Sequence, residues 1–419
     1  MRKWSWIGGL LVAVSLPLQA LAVALTAEGV EERLIIAFKS EVSAQDQRML
    51  IKAEGLRLLR EIPALNMVLV RAPKGRSALA LSKLSANSNI LRVDRDIWRN
   101  WLFAPASMQE TPLPSVESVV HQLPKFTPSS RMGKQDEEAQ WGIKRVNAPA
   151  AWPSNQGAGV KVAVIDTGID KEHPELKIIG GYNALDKNAS WDDDHFHGTH
   201  VSGIIAARLN GELVAGVAPQ VELYAVKVLS KDGSGSLFSI IEGIIWAAQQ
   251  PDVKVINMSL GANQELPFVQ QALQMAQSAG IAIVCAAGNG DGKGNSAPVG
   301  WPAAYEECIA VSALSEAQPN LPETITKWSS RGPEVDFIAP GEKIPSTVPK
   351  EHDAGLVKAY SGTSMACPHV AALAALAVKA GASSPQAVRS ALERAAASLP
   401  NLSASEQGRG VINAANIAR

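Results

Sequence analysis

The chain has 419 residues, 46% of them apolar and 19% charged, enough for two or three folded units with sizeable cores. A formal net charge of -1 removes the electrostatic case for a nucleic-acid or anionic-membrane partner. Three cysteines, Cys285, Cys308 and Cys367, are odd in number and fit no CxxC spacing, which argues against a disulfide framework while leaving room for one bridged pair.

Arg2 and Lys3 precede an uncharged stretch over 4–27, with Leu10-Leu11-Val12-Ala13-Val14 at its centre and Ala20-Leu21-Ala22 at a cleavage spacing. This is the pattern of a secretory signal peptide over residues 1–24. A retained membrane anchor competes with it, because the run nearly reaches spanning length. Gly8, Gly9, Pro17 and the alanine-rich end favour cleavage.

Residues 30–102 form a first block. Within it 33–38, 67–70 and 90–93 read as strands, 77–84 as a helix, and 43–54 as a helix with Ser43 as N-cap. The alternation predicts a small α+β unit of ferredoxin-like type. Residues 103–138 scatter Pro105, Pro112, Pro114, Pro124 and Pro128 among Ser, Thr and Gln without periodicity, which reads as an exposed linker open to proteolytic nicking. From 139 to 419 strands and helices alternate. Strands are expected at 160–165, 221–228, 253–257, 281–286 and 308–313, and helices at 197–208 and 237–249. Continuous apolar strands separated by helices predict an α/β, doubly wound, mostly parallel sheet.

In such sheets function collects at the carboxyl ends of strands. Asp166-Thr167-Gly168 follows one apolar run, and Gly288-Asn289-Gly290 another. Gly362-Thr363-Ser364 opens an alanine-rich helix, which sets a hydroxyl beside orphan N–H groups and the positive end of a dipole. Singly, each piece reads as a helix cap or a turn. His195, His197 and His200 follow Asp192, Asp193 and Asp194, but no HExxH or second ligand cluster supports a zinc site.

Together these pieces resemble the subtilisin-like serine proteases. Ala163-Val164-Ile165-Asp166-Thr167-Gly168-Ile169-Asp170 is similar to the family's aspartate motif. His197-Gly198-Thr199-His200-Val201-Ser202-Gly203 is similar to its histidine motif, and Gly362-Thr363-Ser364-Met365-Ala366-Cys367-Pro368-His369-Val370 to its serine motif. The order Asp, His, Ser is that of subtilisin. The resemblance covers 139–419. It implies that Ser364 is the nucleophile, His197 the general base and acid, Asp166 the group that orients His197, and Asn289 the oxyanion donor. His200 is not carried over and reads as a packed neighbour.

The resemblance also implies that Ser259-Leu260-Gly261 and the facing Gly233-Ser234-Gly235, in the run from Lys231 and Asp232, pair with an extended polypeptide substrate. Gly300 corresponds to the floor of the first specificity pocket, and the lack of an acidic residue there implies an apolar preference. Cys367 replaces the family's usual serine and reads as structural. Glu175 and Asn210, with Glu137 as a third, align with a structural calcium site, and Asp336 with a weaker cation site. The first block resembles an inhibitor-type propeptide that blocks the cleft of its own chain. The expected product is a secreted monomeric endopeptidase, extracellular or periplasmic, with no membrane contact after signal cleavage. The alternatives are an inactive peptide-binding relative, a transferase or ligase on the same fold, and a non-enzymatic inhibitor. All of the first two would need an altered triad or oxyanion donor.

Overall fold

The computed structural model describes residues 32–102, 140–291, 294–319 and 321–417. The expected signal peptide and the whole linker at 103–138 with Glu137 lie outside them. The chain divides into two compact units, Met1–Trp98 and Arg99–Arg419.

The first unit has the order β1 (Arg33–Phe38), α1 (Ala44–Ala53), β2 (Arg57–Ile62), β3 (Met67–Arg71), α2 (Ser77–Ser85) and β4 (Ile90–Arg95). Its antiparallel sheet runs β2-β3-β1-β4, so each β–α–β step passes over an intervening strand. Leu34, Ile36 and Phe38 of β1 alternate onto one face and pack with Val68, Val70, Ile51 and Leu84. The Ser43 hydroxyl accepts from Asp46 N at 3.1 Å and caps α1, as expected from sequence. Strand β2 was not expected, because Arg57, Arg60 and Glu61 break its apolar pattern.

In the second unit the main sheet runs β11-β10-β9-β8-β5-β7-β6. These strands are Thr324–Ile325, Cys308–Ser315, Ala282–Ala286, Val253–Met258, Lys161–Asp166, Glu222–Lys227 and Ile178–Asn183 in that order. Strand β12 (Val335–Pro340) also pairs with β10, and all pairs except β10–β11 are parallel. The chain leaves β5 toward β6 and β7 on one side, then crosses to β8, β9 and β10 on the other. The strand order therefore reverses between β5 and β8, and a crevice opens there beyond the strands' carboxyl ends.

Helices α3 (His197–Ala206), α4 (Leu237–Gln249), α5 (Pro267–Ser278), α6 (Thr363–Lys379) and α7 (Pro385–Ala395) surround the sheet. Alanine makes up much of α6, which is slim enough to lie buried against β8, β9 and β10 over most of its length. A hairpin of β13 (Ile344–Thr347) and β14 (Val357–Tyr360) packs beside α3. All three cysteines are free and buried, and the Cys285 and Cys308 sulfurs approach to 2.7 Å across β9 and β10.

Candidate active site

Asp166 ends β5 and His197 opens α3, and both are fully buried. His197 Nδ1 donates to Asp166 Oδ1 at 2.8 Å, and the same oxygen accepts from Thr167 N at 2.7 Å. The imidazole is thereby held with its proton on Nδ1, leaving Nε2 as an acceptor. Nε2 has no protein partner among the described residues.

The loop before α3 is organised by Asp193. One of its oxygens accepts from His195 N, Phe196 N and the Thr167 hydroxyl, and the other from the backbone and hydroxyl of Thr199. The Thr167 hydroxyl in turn accepts from Gly198 N at 2.9 Å. Gly198 must be glycine, since a Cβ there would collide with the Gly168 carbonyl. One buried carboxylate thus fastens the aspartate loop to the histidine helix.

Ser364 lies in the first turn of α6, where its N–H has no preceding helical carbonyl to bond. Its hydroxyl donates to Ser259 O at 3.1 Å, and the Ser259 hydroxyl returns a bond to Ser364 O at 2.9 Å. Asn289, beyond β9, is oriented by Thr363, whose backbone N–H and hydroxyl both donate to its Oδ1. Its Nδ2 is therefore turned away from Thr363. A Cβ on Gly362 would meet Asn289 Nδ2 at 3.3 Å and Ser364 N at 3.6 Å, so both donors border one small space above Gly362.

The groove segments expected from sequence lie in the same crevice, and residues 100–102 of the chain occupy them. Trp101 N donates to Gly233 O at 3.1 Å, Gly261 N to Trp101 O at 2.9 Å, and the Trp101 indole N–H to Gly235 O at 2.8 Å. Asn100 Nδ2 donates to Asp232 O at 2.6 Å. These bonds place Arg99–Leu102 in the second unit, four residues earlier than the block boundary read from sequence. Leu260 is buried, Ser234 N donates to Asp232, and Gly300 N bonds Ala287 O at 2.9 Å beside the strand that leads to Asn289.

The remaining candidates fall outside this cluster. His200 Nε2 donates to Lys358 O at 3.0 Å while its ring packs edge-on against Tyr360, and burial pushes its pKa down to about 3. Cys367 is buried with its sulfur 3.3 Å from Asn257 Oδ1, and burial drives its thiol far above the ordinary range, consistent with a packed, unreactive side chain. Glu175 is buried and accepts from the Asn210 amide at 3.1 Å. Asp336 is paired with Arg389 and accepts from Ala310 N. No group of three or more His, Cys, Asp or Glu side chains able to hold a metal occurs among the described residues.

Two residues of the site escaped the sequence reading. Trp101 stands at the edge of a proline-rich stretch, where a short apolar run with Trp98 just before it is the only cue. Lys227 is a cation inside an apolar strand, and that mismatch was the available signal.

Comparison with known proteins agrees with this geometry. The subtilase family profile matches residues 157–410, and that of the fervidolysin N-terminal prodomain matches 16–93. An intracellular serine protease of Paenibacillus polymyxa is 43% identical over 268 residues, covering 62% of this chain and 78% of that protein. Subtilisin E of Bacillus subtilis is 42% identical over 280 residues, covering 66% of this chain and 70% of its own length. The crystal structure of fervidolysin from Fervidobacterium pennivorans, a keratinolytic enzyme related to subtilisin, superposes with a TM-score of 0.77 at 25% identity. It covers 93% of this chain, which spans 61% of that protein. The chain belongs to the subtilase family of serine endopeptidases and carries a fervidolysin-like prodomain region ahead of its catalytic fold.

Proposed function

We propose that the chain is the precursor of a secreted serine endopeptidase in which Ser364, His197, Asp166 and Asn289 carry the chemistry. The observation that supports this most is the fully buried Asp166–His197 pair with Nε2 left as an acceptor. Turning about its Cα–Cβ bond, the Ser364 hydroxyl leaves Ser259 O for His197 Nε2, which takes its proton as Oγ attacks the scissile carbonyl. Asp166 steadies the imidazolium. The oxyanion develops in the space above Gly362, facing Asn289 Nδ2 and Ser364 N. His197 then protonates the leaving amine, and water hydrolyses the acyl-enzyme by the same steps in reverse.

Extended polypeptide is the substrate, bound between Gly233–Gly235 and Ser259–Gly261. The support is that the chain's own Trp101 already makes main-chain bonds to both sides. The fervidolysin-like prodomain region ahead of the catalytic fold fits an intramolecular inhibitor. The first specificity pocket beside Gly300 takes apolar side chains, a cleavage-site profile dominated by Arg and Lys being the contrary result. Secretion is favoured by the charged-then-apolar leader, and a monomeric product is expected.

A structural calcium belongs to the same reading. Carboxylate and amide oxygens suit calcium at Glu175 and Asn210, where the amide nitrogen now faces the carboxylate and the amide oxygen, which accepts from Glu212 N, would have to turn toward the ion. The ion does not fit at Asp336, where the Arg389 guanidinium already provides the positive charge.

Fluorophosphonate labelling tests the assignment. The wild-type protein should label at Ser364, and the label should vanish in Ser364→Ala. Labelling elsewhere, or none in the wild type, refutes it.

A further inference from the structure

We infer that Lys227 is a positioning residue for the catalytic pair, tying its two loops together and setting the local field. Lys227 ends β7 and is the direct register partner of Asp166 across the β5–β7 pair. In a parallel pair such partners point to the same face from strands about 4.8 Å apart. The Lys227 side chain is buried, with 5% exposure, yet it is fully satisfied. Its ammonium donates to Thr167 O at 2.5 Å, Asp194 Oδ1 at 2.6 Å and Leu229 O at 2.9 Å. Three N–H donors meet three acceptors, which is the full capacity of a charged lysine.

The three acceptors explain what it does. Thr167 immediately follows Asp166. Asp194 lies in the loop that delivers His197. Leu229 follows β7, and its N–H bonds back to Asp166 O at 3.2 Å. A bound cation at that junction fixes the aspartate loop against the histidine loop, a task that neutral packing would leave to Asp193 alone.

Its charge also matters to His197. His195 and His200 each feel the charge of His197, and His195 also that of Asp166, His352 between β13 and β14 and Lys227 on β7, while Asp193 and Asp194 sit on the loop before α3 with Asp194 paired to Lys227. Burial lowers His195 to about 4 and His200 to about 3, so both are neutral at working pH. Cys367 is also neutral. Lys227 is then the cation set against Asp166, Asp193 and Asp194. Opposite substitutions must therefore move the titration of His197 in opposite directions. Removing the cation favours imidazolium and moves its midpoint up. Removing the Asp194 charge, on a side chain 55% exposed, moves it down.

The inference rests on the catalytic reading above, so the test separates the two. His197 is titrated by NMR in the Ser364→Ala full-length chain, where no turnover is needed. Lys227→Met is expected to move the midpoint up, Asp194→Asn to move it down, and Lys227→Arg to leave it near the starting value. In the Ser364 background Lys227→Met should lower kcat roughly 10- to 100-fold, KM changing little, with partial recovery in Lys227→Arg. A midpoint unmoved by either charge removal, or moved in the same direction by both, overturns the inference. Should Lys227→Met fail to fold, Asp194→Asn and Lys227→Arg still decide it: Asp194→Asn must move the midpoint down and Lys227→Arg must hold it. Failure of the catalytic reading shows separately, as absent fluorophosphonate labelling of the wild type.

Discussion

Replacing Trp101 by alanine should empty the groove of its own chain. The indole is fully buried and its N–H is spent on Gly235 O. Truncating a buried tryptophan to alanine costs about 3–5 kcal/mol, and here that loss falls on the hold of Arg99–Leu102 on Gly233–Gly235 and Gly261. Each 1.36 kcal/mol is tenfold, so the segment's grip should weaken by roughly 10²- to 10⁴-fold. The assay uses uncut precursor with Ser364→Ala and follows a labelled extended peptide by fluorescence anisotropy. The wild-type tail competes with the peptide within the same molecule. Trp101→Ala should raise apparent peptide affinity by up to the same factor, until the tail no longer competes. If peptide affinity is the same with and without Trp101, the bonds to Gly233, Gly235 and Gly261 do not govern access to the groove, and the substrate assignment of those segments loses its main support.

Asn289→Ala should lower kcat by roughly 10²- to 10³-fold with fold and KM preserved, a figure measured on subtilisin, a relative. Gly362→Ala should do at least as much damage, because its methyl would enter the space bordered by both donors; near-normal turnover of Gly362→Ala would place the oxyanion elsewhere. Burial lowers the buried His200 to about 3 and His369 to about 4, against 6.5 in an unfolded chain. The folded state therefore excludes two protons that the unfolded state binds. These two groups support the fold above pH 6.5 and withdraw that support as pH falls toward 4, at about 2.7 kcal/mol per pH unit. Calorimetry near pH 5 should show about one proton fewer taken up on unfolding in Ser364→Ala carrying His369→Gln than in Ser364→Ala alone; no change in that variant would contradict the lowered value. Calcium at Glu175 and Asn210 should raise Tm in the presence of the ion and lower it on chelation, and Glu175→Gln should abolish the difference; an identical Tm with and without chelator would dismiss the site.

The catalytic candidates were legible because each is a short rigid device at an element boundary: an aspartate ending β5, a histidine and a serine opening helices, an asparagine after β9. The buried strands were legible for a related reason, since their side chains are apolar on both faces. Other elements were not. Strand β6 carries Gly180 and Gly181, and β2 is rich in charge, so neither shows a period. Helix α7 was announced only by Ser384, whose hydroxyl accepts from Ala387 N, and by Pro385 at its first turn. Trp101 could not be read at all from local pattern. Its partners lie more than 130 residues away, and a four-residue apolar run cannot say which groove it would fill. Lys227 was visible as an anomaly, but its purpose needed the register with Asp166.

The crossover at the switch point also bears on how the chain becomes active. Strand β5 carries Asp166 early in the catalytic unit, yet its sheet neighbours β7 and β8 are residues 222–227 and 253–258, and Ser364 arrives later still. Every main pairing here is non-local and parallel, the class of topology that forms slowly because loop closure must precede any gain. The first unit, by contrast, closes from pairings within its own short span. During synthesis Ser364 emerges well after Asp166 and His197, so the complete site cannot form until most of the catalytic unit has been made. The acid–base pair and the nucleophile therefore come together only when segments nearly 200 residues apart, from Asp166 to Ser364, have packed on one sheet.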